Sequence, residues 1–343
     1  MTADEMTAAA TTDTRGPCRI IVLGMHRSGT SVLANLVRQW GAYAAERALV
    51  PADRFNQAGY WEYEPLVQFN QALLRAVESE EMLPPLDEQA ETLTALSASG
   101  DYRERALGLI AAMDAGGSCW VWKDPRLAVL LPFWQPLWGR AIYVVAVRHP
   151  CEVARSLHER EFLPLSAGLL VWQRHVGEIL ARTAGASRLF VSYERLLADP
   201  PSQCARLCRF LRAATGTIAA AADPREQIER MASAIDPAIR HQRPLADDTA
   251  RAFLTCGQQQ LAARLERLAA ADAGAATEPG ATAESHESRQ AAASGVQEEL
   301  FAGWHEYLLA VRLLVRWCDG DVTRRQSLLS TMPARYRAIY GIA

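Results

Sequence analysis

Apolar residues fall into two rhythms along this chain. Short, continuous runs rich in β-branched and aromatic residues occur at 19–24 (RIIVLG), 119–123 (CWVWK), 141–147 (AIYVVAV) and 188–192 (RLFVS). Runs of this length without polar alternation predict strands buried on both faces. Between them, apolar positions return at helical spacing. Over 30–40 they are Val32, Leu33, Leu36, Val37 and Trp40, closed by Gly41. The same period predicts helices over 65–77, 102–115, 151–161, 166–183 and 201–211. Strands alternating with helices imply an α/β fold, a doubly wound and mainly parallel sheet with helices on both faces.

Beyond about residue 215 the strand pattern stops. Residues 226–235, 249–270, 298–317 and 322–340 read as helices. Residues 271–295 are rich in Ala, Gly, Ser, Thr and Glu and read as a flexible linker. The expected organisation is a disordered N-terminus (1–17), a core (18–215) and a helical C-terminal extension (216–343). The strongly apolar helix 298–317 either pairs two copies into a homodimer or closes the core.

Composition narrows the function classes. Half of the 343 residues are apolar, ample for one large core, and the net charge of −3 leaves no electrostatic footprint for nucleic acid. The seven cysteines are odd in number and none has metal-ligand spacing; Cys204 and Cys208, four apart, read as one apolar helix face. The first 16 residues lack the basic start and apolar stretch of a signal peptide. The most apolar region, 128–147, is interrupted by Pro132, Gln135, Pro136 and Arg140, which rules it out as a membrane span. A cytoplasmic chain with no metal and no transmembrane segment is expected. Of 36 basic residues one alone is a lysine, Lys123. In a chain where arginine is the default cation, that position uses a compact point charge instead of a planar fork.

Four motifs carry candidate chemistry. Gly24-Met25-His26-Arg27-Ser28-Gly29-Thr30-Ser31 joins the first strand to the first helix. Backbone N–H groups at a helix N-terminus, with a glycine for close approach and hydroxyls at Thr30 and Ser31, make an anion cradle; the plainer reading is an ordinary tight turn. The nucleotide-triphosphatase loop requires a lysine after its second glycine, and here Thr30 follows Gly29. Arg148-His149-Pro150 leaves the third strand, and Ser156 follows Arg148 by eight residues; an arginine with a hydroxyl suits a monophosphate, or the segment is a helix-capping turn. Trp122-Lys123-Asp124-Pro125-Arg126 ends the second strand. The loop Asn56-Gln57-Ala58-Gly59-Tyr60-Trp61-Glu62-Tyr63-Glu64 precedes a helix, so Glu62 is either a functional carboxylate or a charge that complements the helix dipole.

Taken in order, these motifs resemble the sulfotransferases that use 3′-phosphoadenosine-5′-phosphosulfate (PAPS). G-M-H-R-S-G-T-S resembles that family's 5′-phosphosulfate loop. Arg148 and Ser156 at their spacing resemble its 3′-phosphate site. Lys123-Asp124-Pro125 is similar to the motif of tyrosylprotein sulfotransferases and many bacterial members, and 191–200 (VSYERLLADP) resembles the segment after the next strand. The resemblance covers residues 20 to about 211. It implies a P-loop-like fold in which Arg27, Ser28, Gly29, Thr30 and Ser31 hold the 5′-phosphosulfate. Arg148 and Ser156 would hold the 3′-phosphate, and Tyr193 would contact the nucleotide. Lys123 and Arg27 would neutralise charge on the transferring group, and Glu62 would take the acceptor's proton. Cytosolic aryl sulfotransferases differ, with a lysine in the first loop and a histidine base; the pattern here sits nearer the glutamate-base branch. Glu64, His26 and His149 stay in competition with Glu62.

The resemblance implies PAPS as donor, no metal, and a glycan, lipid or small-molecule hydroxyl or amine as acceptor. Bacterial relatives use such acceptors, and Tyr60, Trp61, Tyr63 and Trp134 are aromatic candidates for stacking on one. A P-loop kinase or nucleotidase is the rival enzyme and lacks its lysine. A non-catalytic nucleotide-binding scaffold is the rival from another class.

Overall fold

The computed structural model describes residues 16–52, 56, 59–79, 85, 87–161, 163–216, 223–236 and 254–271. Four strands form one parallel sheet: β1 (Cys18–Leu23), β2 (Cys119–Lys123), β3 (Ala141–Val147) and β4 (Arg188–Ser192), in the order β2-β1-β3-β4. Each strand end is in register with its neighbours: Val22 pairs with Lys123, Leu23 with Val145, and Val147 with Ser192. The chain moves outward from β1 to β2, then crosses back to β3 and β4. The loops after β1 and β3 therefore part at a topological switch point, where open α/β sheets bind ligands.

The helices follow the apolar periods. They are α1 (Thr30–Trp40), α2 (Glu64–Ala76), α3 (Asp87–Ala98), α4 (Asp101–Gly116), α5 (Leu127–Trp138), α6 (Pro150–Glu161), α7 (Leu165–Arg182), α8 (Tyr193–Ala198), α9 (Pro200–Thr215), α10 (Pro224–Ser233) and α11 (Cys256–Ala270). Side chains alternate across the sheet. Ile20, Val22, Val121, Val144 and Val191 pack on α1, α9 and α10, with Cys204 and Cys208 fully buried among them. Trp120 and Trp122 point to the other face, where Trp122 meets Trp134 edge-on at 5.3 Å between centroids and Trp134 stacks on Trp138 at 5.7 Å. Trp134 is thus a core residue and leaves the set of aromatic residues for acceptor stacking.

Three helices depart from the sequence expectation. α5 is apolar all round and holds Pro132 and Pro136, so no 3.6-residue rhythm shows; it is buried against β1, α3 and α7. α3 has weak amphipathicity, and its buried contacts come from α5. The six-residue α8 is set by its cap, with Ser192 Oγ accepting from the Arg195 N–H at 3.4 Å.

Two helices of the expected C-terminal extension pack onto the core, one of them on the sheet itself. α10 packs on α1 and α9, and α11 on β4 and β3. Gln227 of α10 is buried and donates to the Trp40 carbonyl oxygen at 2.8 Å, closing the C-terminal end of α1. α11 starts at a capping box in which Thr255 and Gln258 satisfy one another's backbone N–H. All described residues lie in one compact unit, Met1–Thr277. The helices expected over 298–317 and 322–340, most of the 271–295 linker and the first 15 residues lie outside the described residues. Among the described residues no helix is long and apolar enough to cross a membrane. Replacing Gln227 with Ala leaves the Trp40 carbonyl unsatisfied. A loss of about 1–3 kcal/mol in urea-unfolding stability is expected; an unchanged midpoint would show that α10 is not coupled to the core.

Candidate active site

The carboxyl ends of β1, β2 and β3 bring three of the four motifs to one edge. The turn after β1 is made by backbone conformations that side chains resist. Gly24, Arg27 and Gly29 have φ of 152°, 66° and 89°. A Cβ on Gly24 would stand 2.8 Å from Thr30 Cγ2 and 2.9 Å from Ala146 Cβ. On Gly29 it would stand 2.4 Å from Tyr193 Cδ2. The Ser28 N–H donates to the Met25 carbonyl at 3.1 Å, tightening the turn, and Ser28 and Thr30 are buried. Gly29 is the N-cap of α1 and supplies no side-chain cap, so the first N–H groups of that helix are left to a ligand or solvent.

Around this cradle lie the residues expected to bind nucleotide. Arg27 Nε donates to Ser156 Oγ at 2.9 Å, across 129 positions of sequence. Arg148 donates to the Arg27 carbonyl at 2.7 Å and lies over the Tyr193 ring, 4.7 Å from its centroid. Its other N–H groups reach both ways onto Glu152 Oε2, at 3.1 and 3.0 Å, and both partners are buried. Glu152 was not among the sequence candidates. Its signal was an acidic residue in the first turn of α6, four positions after Arg148. Glu194 ties the same corner, accepting from the His149 N–H at 3.1 Å and from Ser192 Oγ at 3.0 Å.

The second cluster centres on the one lysine. Lys123 Nζ donates to Glu62 Oε1 at 2.5 Å, to Ser31 Oγ at 3.2 Å and to the Tyr60 carbonyl at 3.2 Å. Lys123 is 3 % exposed and Glu62 8 %. The loop that delivers Glu62 turns through positive φ at Gly59 (89°) and Trp61 (56°), and is pinned where the Val50 N–H donates to the Glu62 carbonyl at 2.8 Å. Burial pushes the Glu62 carboxyl above its ordinary range; Lys123 pulls it back down, and Asp124 adds to the rise.

The other candidate residues are placed differently. Glu64 is the first residue of α2, exposed, and accepts from Gln68 at 3.2 Å. His26 lies in the turn itself, its ring 6.1 Å from that of His175, and burial of the ring holds it well below the usual imidazole range. Nδ1 of His149 accepts the Cys151 N–H at 3.3 Å. The carboxylate placed against Lys123 is Glu62.

A sequence model of the Sulfotransferase family matches residues 17–215. The chain belongs to the sulfotransferase family. Among solved structures it is similar to the sulfotransferase domain from the Synechococcus PCC 7002 olefin synthase, at 19% identity and a TM-score of 0.42 over 76% of this chain and 97% of that one. The sulfotransferase domain from the curacin biosynthetic pathway gives 18% identity and a TM-score of 0.40, over 74% of this chain and 99% of that one. Sulfotransferase STF9 from Mycobacterium avium gives 20% and 0.41, over 74% of this chain and 76% of that one. No curated protein matches it.

The family match ends where α9 ends, and α10 and α11 lie beyond it. A groove of about 1200 Å³ lies at the amino-terminal edge of the sheet beside Tyr43, Ser118 and Arg230, and Lys123 is not among its lining residues. In this sulfotransferase the anion cradle depends on Gly29 carrying no side chain. Gly29→Ala must displace the Tyr193 ring and hold alanine at positive φ. The expected result is a loss of adenosine 3′,5′-bisphosphate binding with the protein still folded, read by calorimetry beside circular dichroism. Unchanged affinity would remove Gly29 and Tyr193 from the nucleotide site.

Proposed function

We propose that the chain moves a sulfuryl group from PAPS to a hydroxyl or amine of a small-molecule, glycan or lipid acceptor. The observation that carries this reading is the buried Glu62–Lys123 pair, joined through Ser31 to the helix that the anion cradle opens. A proton acceptor and a cation stand together at the carboxyl edge of the sheet, beside the 24–31 turn.

The residues suit the donor. The backbone N–H groups of the 24–31 turn converge at a helix N-terminus, and that geometry favours a 5′-phosphosulfate. Arg148, which lies over the Tyr193 ring, and Ser156 meet through Arg27, a charged fork and a hydroxyl suited to a 3′-phosphate. PAPS supplies an activated sulfuryl group whose transfer, like phosphoryl transfer, develops charge on oxygens and asks mainly for positioning. Lys123 and Arg27 provide positive charge where that develops. Glu62 accepts the acceptor's proton at a carboxylate oxygen, and its burial strengthens it as a base. Glu152 fixes the Arg148 guanidinium by two N–H donors before nucleotide arrives, which spares the entropy of ordering it on binding. The acceptor side is framed by Tyr60 and Arg160, whose guanidinium lies 5.6 Å from the Tyr60 ring centroid.

Calorimetric titration with adenosine 3′,5′-bisphosphate, AMP and ATP tests the donor assignment. Binding that requires the 3′-phosphate is expected without added metal; a preference for ATP with magnesium would overturn it in favour of a kinase or nucleotidase, and no binding in favour of a scaffold. Glu62→Gln should lower turnover about 100- to 10,000-fold while nucleotide binding persists. Wild-type turnover in that variant would remove Glu62 as the base. Lys123→Ala should cost about 100- to 1,000-fold in turnover and less in nucleotide affinity; the reverse pattern would make it a binding residue alone. Because Glu62 must be ionised to accept a proton and burial raises its pKa, the rate should fall on the acid side at a pH above the ordinary glutamate range. An acid limb at or below that range would contradict the assignment.

A further inference from the structure

Two parallel ties join the segment that carries Glu62 to the segment that carries Lys123. One is the Glu62–Lys123 pair itself. The other runs one residue past Lys123 and eight residues past Glu62, where Asn70 Nδ2 donates to Asp124 Oδ2 at 2.9 Å. Asp124 and Asn70 are both fully buried. The second oxygen of Asp124 accepts from the Arg126 backbone N–H at 3.0 Å and from the Arg126 guanidinium at 2.9 Å. Asn70 Oδ1 accepts from Trp134 Nε1 at 2.8 Å, which anchors the tie in the aromatic core of α5. A buried carboxylate is costly unless each oxygen has a partner, and here both do.

We propose that Asp124 is a positioning residue: tied by Asn70 to the helix after Glu62 and by Arg126 to the turn after Lys123, it holds the catalytic carboxylate and ammonium at fixed separation. This rests on the reading of Glu62 and Lys123 as the working pair. Without the tie, the polar link from α2 to the β2 edge is the Glu62–Lys123 pair, with Phe69 on Trp134 as the apolar one, and a displacement of about 1 Å at such a site costs on the order of 100-fold in rate. Asp124 also acts through charge. Its anion disfavours ionisation of Glu62 and reinforces burial, while Lys123 and Arg126 oppose it. The other titratable groups facing this cluster are His26, from the loop after β1, and His175 of α7. Burial keeps His26 below the usual imidazole range, so it adds no positive charge near neutrality.

The lysine count makes this testable without an acceptor. Lys123 is the one lysine in 343 residues, so protein labelled with ¹³C at lysine Cε gives one side-chain lysine resonance. Its shift should step with pH as Glu62 ionises 2.5 Å away. In Asp124→Asn, isosteric and uncharged, that step should move to lower pH, since a neighbouring negative charge is gone. Adenosine 3′,5′-bisphosphate binding should stay within about threefold of wild type, because the donor cradle is untouched. A step at the wild-type pH overturns the inference, and so does loss of nucleotide binding together with the step, which marks a structural role only. Asn70→Ala removes the tie and keeps the charge; the Lys123 resonance should change position or broaden above the step, and an unaltered resonance overturns the positioning role. Glu62→Gln run alongside should abolish the step. If it does not, the Glu62 reading fails, whereas a vanished step there with no change in Asp124→Asn defeats this inference alone.

Discussion

Burying a carboxylate with an ammonium removes both from water, and their attraction repays this only when every remaining polar atom is also satisfied. The Lys123 ammonium meets that condition with three acceptors, Glu62 Oε1, Ser31 Oγ and the Tyr60 carbonyl oxygen, brought by separate elements. Ser31 comes from α1, the Tyr60 carbonyl from the loop before α2, and Lys123 from the last position of β2. Each must be placed to within a hydrogen-bond length, so the pair constrains the turn after β1, the edge of the sheet and the entry to α2 together. The Asn70–Asp124–Arg126 cluster lies one layer deeper and repeats the pattern with the same two segments.

The anion cradle answers to a different constraint, the room left by absent side chains. Gly29 lets the Tyr193 ring approach the loop, and Gly24 lets the loop turn against Ala146 of β3. Tyr193 in turn carries Arg148 on its face, so a glycine after β1 helps to fix a guanidinium after β3. Glu152, in the first turn of α6, braces the arginine by accepting two of its N–H groups. Arg27, held at positive φ, gives its carbonyl to Arg148 and its side chain to Ser156, and so joins the turn after β1 to the turn after β3 and to α6.

The family match stops at residue 215, yet the covering of the sheet continues beyond it. α10 closes the end of α1 through Gln227, and α11 lies on β4. A sheet buried on both faces needs helices on both, and where α9 ends the chain still has strand surface to cover.

The amino-acid sequence by itself determined the strands, because a run such as AIYVVAV has one low-energy home, between two layers. It also determined α1 and the residue types of the site: a glycine turn, a lone lysine, an arginine eight residues before a serine. It left α5 and α3 unseen. A helix buried all round has no polar face to set a period, and a weakly amphipathic one is held by partners distant in sequence. It left Glu62 and Glu64 equivalent, two residues apart in one loop. Tertiary structure gives them different surroundings, because positive φ at Trp61 and the β2 edge turn Glu62 inward to the ammonium while Glu64 begins a helix facing solvent. Glu152, Asn70 and Asp124 gained their roles the same way. A buried polar group is defined by its partners, and for Asn70 and Asp124 those partners are 54 residues apart along the chain and 2.9 Å apart in space.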